Sequence, residues 1–361
     1  MAKTRPYIGG SMFAAETSAV QVPNSKVSKR EILAAWKDIA EPVQPFLEAV
    51  ANRLAAQVRE FDPAIVSYAE YALTGQGKQL RPALVALSAN AVGEVEDSHI
   101  TVAVIIEMVH LATLVHDDVM DEAEIRRGRL TLGANWGNEI AVLCGDCLFA
   151  QALKLAASFP TPEICRAVAM ATNTVCAGEI LQTRQRRNFQ FTQAEYFKVL
   201  EMKTAELFAL SCNLGACLSG ASAVERAALR DFGMALGTAY QLYDDCLDLF
   251  GTEAIAGKSL GTDLAKGKLT LPVLQFWQQA TELERTRLEA LIQEWEPANL
   301  APVQALLRKH DAMVGSLEII QNHLQQARQA LKQLSQPAKY AGLMGLTEFL
   351  AAQTERLGGC G

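Results

Sequence analysis

The sequence predicts an all-α fold, a single-domain bundle of about ten helices around a deep central cavity. Three observations predict it. From Ser28 onward apolar residues recur at helical spacing, rich in Ala and Leu, while strand-like alternation is scarce. No shift in composition divides the chain, so its 361 residues read as one domain over 28–361. An extension at 1–27, Ala/Ser/Pro-bearing and weakly patterned, is expected to be disordered. Finally, two apolar helical segments each carry a polar stripe, and such a stripe on a buried helix lines an internal cavity.

Taken in order, the helices are separated by turn signals at Gly75 to Gly77, Val92-Gly93, Phe159-Pro160, Gly251 to Gly267 and Glu296-Pro297. Gly77-Lys78-Gln79-Leu80-Arg81 sits just before an apolar helix beginning at Pro82, so Lys78 and Arg81 can address one anion from a helix N-terminus. Ile100 to Val115 is almost wholly apolar, and its polar interruptions, Glu107 and His110, fall on the stripe that continues to Asp117 and Asp121. Arg126-Arg127-Gly128 follows where the chain must turn, Pro162 suits the first turn of another helix, and Lys203-Thr204 opens a further apolar run. In the second striped helix Gln241, Asp244 or Asp245, and Asp248 share one side among Phe232, Met234, Leu236, Leu242 and Leu247. Lys258 and Lys268 flank the Gly-rich loop after it.

Asp117-Asp118-Val119-Met120-Asp121 and Asp244-Asp245-Cys246-Leu247-Asp248 have the same internal spacing. Residues i and i+4 share a helical face, so each motif brings like charges together, which no chain needs merely to fold. A cation between the two faces resolves the repulsion. All-oxygen ligands without a thiolate or imidazole cluster point to Mg²⁺, which takes its remaining ligands from water and phosphate. The motifs therefore predict a diphosphate held through magnesium between two helices, against the plainer reading of two solvated acidic faces.

Net charge of −7 and a pI near 5.4 disfavour nucleic acid as a partner. The longest apolar run is interrupted by Glu107 and His110, short of the ~20 residues of a transmembrane span, and the N-terminus lacks a signal core. A cytoplasmic location is the default expectation. The eight cysteines sit mostly in apolar contexts; Cys144 and Cys147 have redox or zinc spacing, but no second pair completes a site.

At this point the chain resembles the trans-isoprenyl (polyprenyl) diphosphate synthase family. The resemblance covers roughly Gly77 to Pro272 and rests on Gly77-Lys78-x-x-Arg81-Pro82, on Glu107-Met108-Val109-His110 running into His116-Asp117-Asp118-x-x-Asp121, and on Arg126-Arg127-Gly128. Gly145-Asp146, Gly178-Glu179-Ile180-Leu181-Gln182, Lys203-Thr204, Gln241-Leu242-Tyr243-Asp244-Asp245-x-x-Asp248 and the Gly257 to Pro272 stretch fit as well. The resemblance implies the isoprenoid synthase type of helical bundle and a homodimer. It implies that Asp117, Asp121 and Asp244 bind about two or three Mg²⁺ ions, with Asp118, Asp245 and Asp248 supporting or completing the cluster. By the same resemblance Arg126, Lys203, Thr204, Gln241, Lys258 and Lys268 hold the allylic diphosphate, and Lys78, Arg81, His110 and Arg127 hold isopentenyl diphosphate. Gln79 departs from the pattern, standing where many members carry another basic residue.

The implied reaction ionises an allylic C–O bond, adds the carbocation to isopentenyl diphosphate away from water, and loses a proton to the released diphosphate. A class I terpene cyclase would pair its Asp-rich helix with an Asn/Ser/Glu-type motif, and a non-catalytic subunit should have lost some of these ligands. The growing tail is expected to run along the apolar stripe before Asp117, meeting Thr113 and Ala112 and then Val109. Short-chain members block this region with aromatic residues or carry two extra residues inside the first motif. Neither device is present, so the expected product lies beyond C20, the alternative being a farnesyl or geranylgeranyl diphosphate synthase.

Overall fold

The computed structural model describes residues 36–74, 77–256 and 259–358. The expectation of disorder over 1–27 and the assignment of Lys258 fall outside these residues. The described chain is helical almost throughout: α1 (Gln44–Ala56), α2 (Val66–Leu73), α3 (Leu80–Val92), α4 (Asp97–Met120), α5 (Asn138–Ala157), α6 (Glu163–Arg184), α7 (Gln193–Leu200), α8 (Glu206–Leu218), α9 (Ala223–Phe250), α10 (Leu271–Gln279), α11 (Glu282–Gln293), α12 (Leu300–Lys309), α13 (Ala312–Leu331) and α14 (Ala341–Gly358).

The two Asp-bearing helices are the longest, α4 with 24 residues and α9 with 28. Their starts are fixed locally. Ser222 and Glu225 close a reciprocal capping box on α9, and Glu96 with His99 does the same for α4. The His99 ring is fully buried, accepting from Glu96 N–H at Nδ1 and lying within hydrogen-bond distance of Gly215 O and Ser219 Oγ through Nε2. Helix α9 packs on both α8 and α13, while α4 packs on α5 and α3 packs on α8. Phe208, Phe232 and Phe276 are fully buried in this core, each worth about 1.5–3 kcal/mol of apolar burial.

The only strands among the described residues form a hairpin, β1 (Ile125–Arg126) and β2 (Arg129–Leu130), with Ile125 opposite Leu130 and Arg126 opposite Arg129. Its two turn residues, Arg127 and Gly128, have φ of 52° and 75°. Positive φ at both central positions is what a two-residue type I′ turn needs, because its twist matches that of the strands. The turn expected at this point thus has a defined shape, and it aims the arginines at the bundle. Arg129 stacks over the Tyr71 ring at 4.0 Å, and Tyr71 donates to Leu130 O at 2.7 Å, pinning the hairpin to α2.

Helices α7 and α8 are joined by a π-helical turn over Glu201–Ala205, an irregularity that often marks functional sites. By length and apolarity alone α4, α5 and the segment Pro162–Arg184 reach what a membrane crossing requires. The sequence reading expected none because it counted only uninterrupted apolar runs. The apolar window of α4 is 61% buried inside the bundle, against 39% for α5 and 33% for α6. All described cysteines are free, and burial raises the Cys144 thiol to about 11 and the Cys212 thiol to about 12, so both pack as neutral groups.

Candidate active site

A cavity of about 1190 Å³ opens between α3, α4, α8, α9 and the arginine hairpin. Its volume exceeds the roughly 300–1000 Å³ of ordinary small-ligand pockets. The two aspartate motifs face it from opposite helices, and Asp117 and Asp244 line it.

On one side Lys203 lies between Glu179 and Asp117: its Nζ pairs with the Glu179 carboxylate, stands 3.4 Å from Asp117 Oδ2 and donates to Gln182 Oε1 at 2.9 Å. Burial opposes charge on this lysine, but Asp117 and Glu179 outweigh it and hold the ammonium above its usual range. Gly178 makes the arrangement possible, because a Cβ there would stand 2.9 Å from the backbone N of Lys203. Thr204 donates to Gln241 Oε1 at 3.0 Å, and Gln241 donates onward to Asp245 Oδ1 at 2.8 Å. The other oxygen of Asp245 accepts from the buried Tyr196 hydroxyl at 2.5 Å.

On the other side Lys78, Arg81, His110 and Arg127 line the same cavity. Arg127 lies so close to Gly77 that a Cβ at that glycine would stand 2.9 Å from its Nη1. Arg81 sits over the Phe208 ring at 5.1 Å, and burial lowers its pKa, with Glu107 opposing. Burial, then Arg81, Arg127 and Arg126, push His110 well below the ordinary histidine range, so it is neutral at pH 7. Burial raises Glu107, against the pull of Arg81 and Arg127.

Four aspartates stand apart from the main cavity. Asp118 is 7% exposed and accepts from Arg126 Nε at 2.7 Å. Asp121, the residue after α4, is ion-paired with Arg186 at 2.7 Å, Lys268 at 2.8 Å and Lys266 at 3.1 Å. Burial alone would raise its pKa, but Lys268 and Lys266 outweigh it and hold the carboxyl at about 2. Asp245 lines only a smaller cavity behind Lys203 and Thr204, which Lys268 shares. Burial, together with Asp263, pushes Asp245 well above the carboxylate range.

Asp248 corrects the sequence reading. It is fully buried and accepts from Thr262 Oγ1 at 2.7 Å and Asp263 N–H at 3.1 Å, so it anchors the loop after α9 and does not face the cavity. Four residues advance a helix by about 40° beyond a full turn, enough here to turn Asp248 from the cavity into the packing beneath it. Ala112 and Val109 are a second correction. Both are buried in the core and absent from the cavity wall, whereas Thr113 lies on it.

Residues 62–309 match the family model of polyprenyl synthetase. The chain belongs to the polyprenyl synthetase family. It is a prenyltransferase. An octaprenyl diphosphate synthase from Haemophilus influenzae is 32% identical over 319 residues, covering 88% of this chain and 97% of that protein. A short chain isoprenyl diphosphate synthase from Methanothermobacter thermautotrophicus is 30% identical over 318 residues, covering 87% and 98%. A Caulobacter crescentus polyprenyl synthase, complexed with calcium and isoprenyl diphosphate, superposes with a TM-score of 0.81 at 32% identity, over 89% of this chain and 97% of that one.

Among the described residues no three acidic, histidine or cysteine side chains converge on a single point. Asp117 and Asp244 offer only carboxylate oxygens across the cavity, a donor set that fits a hard divalent cation completed by phosphate and water. Motif spacing left Glu179, Gln182, Tyr196, Arg186 and Lys266 without roles. Glu179 and Gln182 could have been found, since they stand one and four residues after Gly178, three apart on one helical face, and both meet Lys203; Tyr196 and Lys266 join from other segments.

Proposed function

We propose that this prenyltransferase condenses isopentenyl diphosphate with an allylic diphosphate and extends the chain beyond C20. The observation that carries the reading is one cavity whose wall holds Asp117 and Asp244 together with two groups of cations: Lys203 beside Asp117, and Arg81, Arg126 and Arg127 beside His110, with Lys78 also lining the cavity. Asp117 and Asp244 would hold Mg²⁺, which when bound neutralises charge on the departing diphosphate. Lys203, already shared between two carboxylates, can turn its ammonium to the allylic diphosphate as the C–O bond breaks. Neutral His110 can donate to the second diphosphate without adding charge beside three arginines. The buried walls keep water from the carbocation.

Thr113 supports the long product. Its hydroxyl donates to its own helix at His110 O, 2.7 Å away, so the small side chain makes no polar demand on a passing tail. Beyond it the wall continues through Phe149, Val175 and Ile180. Incubation with Mg²⁺, isopentenyl diphosphate and primers of increasing length, followed by sizing of the dephosphorylated alcohols, tests the reading; a product stopping at C15 or C20 refutes it.

We also propose that a second copy of the chain covers α5 and α6, in the cytoplasm. Leu143 and Met170 are 60% and 65% exposed there, large apolar side chains of the kind interfaces bury. Light scattering of the wild type and of Leu143→Glu tests this: a monomeric wild type refutes it.

A further inference from the structure

Asp121 lies at the C-terminal end of α4, where the helix dipole already favours cations. Three approach it from two other segments. Arg186 comes from the loop after α6, and Lys266 and Lys268 come from the turn after Thr262–Ala265. The two segments are joined directly, since Arg187 N–H donates to Gly267 O at 2.7 Å. Both oxygens of Asp121 are therefore taken, Oδ1 by Arg186 and Oδ2 by the two lysines. Three positive charges surround one carboxylate. Arg186 also reaches the Met120 carbonyl at 3.4 Å, and its Nε is buried without a hydrogen-bond acceptor.

We propose that Arg186 and Lys266 form, with Lys268, a cationic latch on Asp121 that is transferred to diphosphate oxygens when substrate enters. The inference rests on the reading that Asp121 is a metal carboxylate. A divalent cation approaching Asp121 alone must displace or face two net positive charges, which opposes its binding. A diphosphate entering beside it supplies acceptors for those cations, including the unmet Nε of Arg186, and releases the carboxylate. Metal and diphosphate would then bind cooperatively at the first motif, and the cation is not captured ahead of substrate. Arg186 and Lys266 act here as positioning residues, through Asp121.

The test measures binding of Mn²⁺ alone to the full chain, by titration calorimetry or by the loss of the free-ion spin signal, and repeats it with inorganic diphosphate. In Arg186→Gln and Lys266→Gln, Mn²⁺ alone should bind on the order of fivefold more tightly, the scale of one charge at close range near a protein surface. The tightening that diphosphate brings should shrink by a similar factor. Arg186→Lys and Lys266→Arg should return to the wild-type value, and Arg184→Gln, an exposed charge at the end of α6, should not depart from it. Wild-type Mn²⁺ binding in both Gln variants, with weakened binding in Asp121→Asn, overturns the latch while keeping Asp121 as a ligand. Unchanged binding in Asp121→Asn removes Asp121 from the metal site and overturns both.

Discussion

Asp121→Asn tests the charge balance of the site through stability, independently of metal. The substitution keeps the shape of the side chain and removes its charge. The folded carboxyl is held at about 2 against an ordinary 3.8, and the side chain is 9% exposed, so solvent screening discounts the effect little. The folded pKa is the depressed one, so the contribution is fully present above the unfolded pKa and is lost as pH falls through the folded value. The difference corresponds to about 2 kcal/mol at pH 7, falling to roughly half near pH 3. Urea denaturation of wild type and variant at pH 7, 5 and 3 measures this, and the gap should be constant from 7 to 5 and then close. The spacing of the motif alone suggests the opposite sign, since a self-repelling acidic cluster gains stability when a charge is removed. An Asp121→Asn variant as stable as wild type at pH 7, or more so, refutes the ion-pair reasoning.

Four further outcomes are expected. Asp117→Asn or Asp244→Asn should collapse turnover with the helical circular dichroism intact, and near-normal turnover at saturating Mg²⁺ removes either from the metal site. Lys78→Ala or Arg81→Ala should mainly raise KM for isopentenyl diphosphate, whereas Lys203→Ala should mainly impair the allylic substrate; equal effects on both argue against two sites. Thr113→Phe should shorten the product by one or more isoprene units, whereas Ala112→Phe should instead lower stability by about 1–3 kcal/mol through overpacking of a fully buried position; chromatography of products and a denaturation curve separate the two. Lys203→Met should destabilise the fold by about 3 kcal/mol, because Glu179 and Asp117 lose their shared cation, and adding Glu179→Gln should recover part of that loss in a double-mutant cycle.

The fold class was legible because helical periodicity is local, and so were the residues whose place follows from one helix. Glu107, His110, Thr113 and Asp117 lie on a single arc of α4, and all four reach the cavity. Identical spacing does not report the surroundings of the last carboxylate of each motif, for different reasons. Asp121 is the first residue past its helix and is captured by cations 65, 145 and 147 positions away in sequence. Asp248 lies inside a helix that runs on to Phe250, and the returning loop at Thr262 and Asp263 claims it. Nothing in a five-residue motif reports either event, because both depend on chain segments that fold back from elsewhere. Ala112 misled in the same way: one position from Thr113, it is rotated by about 100° into the core. What periodicity does convey is the arc, and the arc is narrower than the motif. Two mirrored motifs of equal composition thereby come to hold unequal parts: Asp117 and Asp244 line the cavity, Asp118, Asp245 and Asp248 fasten the helices and loops around it, and Asp121 is held by cations from two other segments.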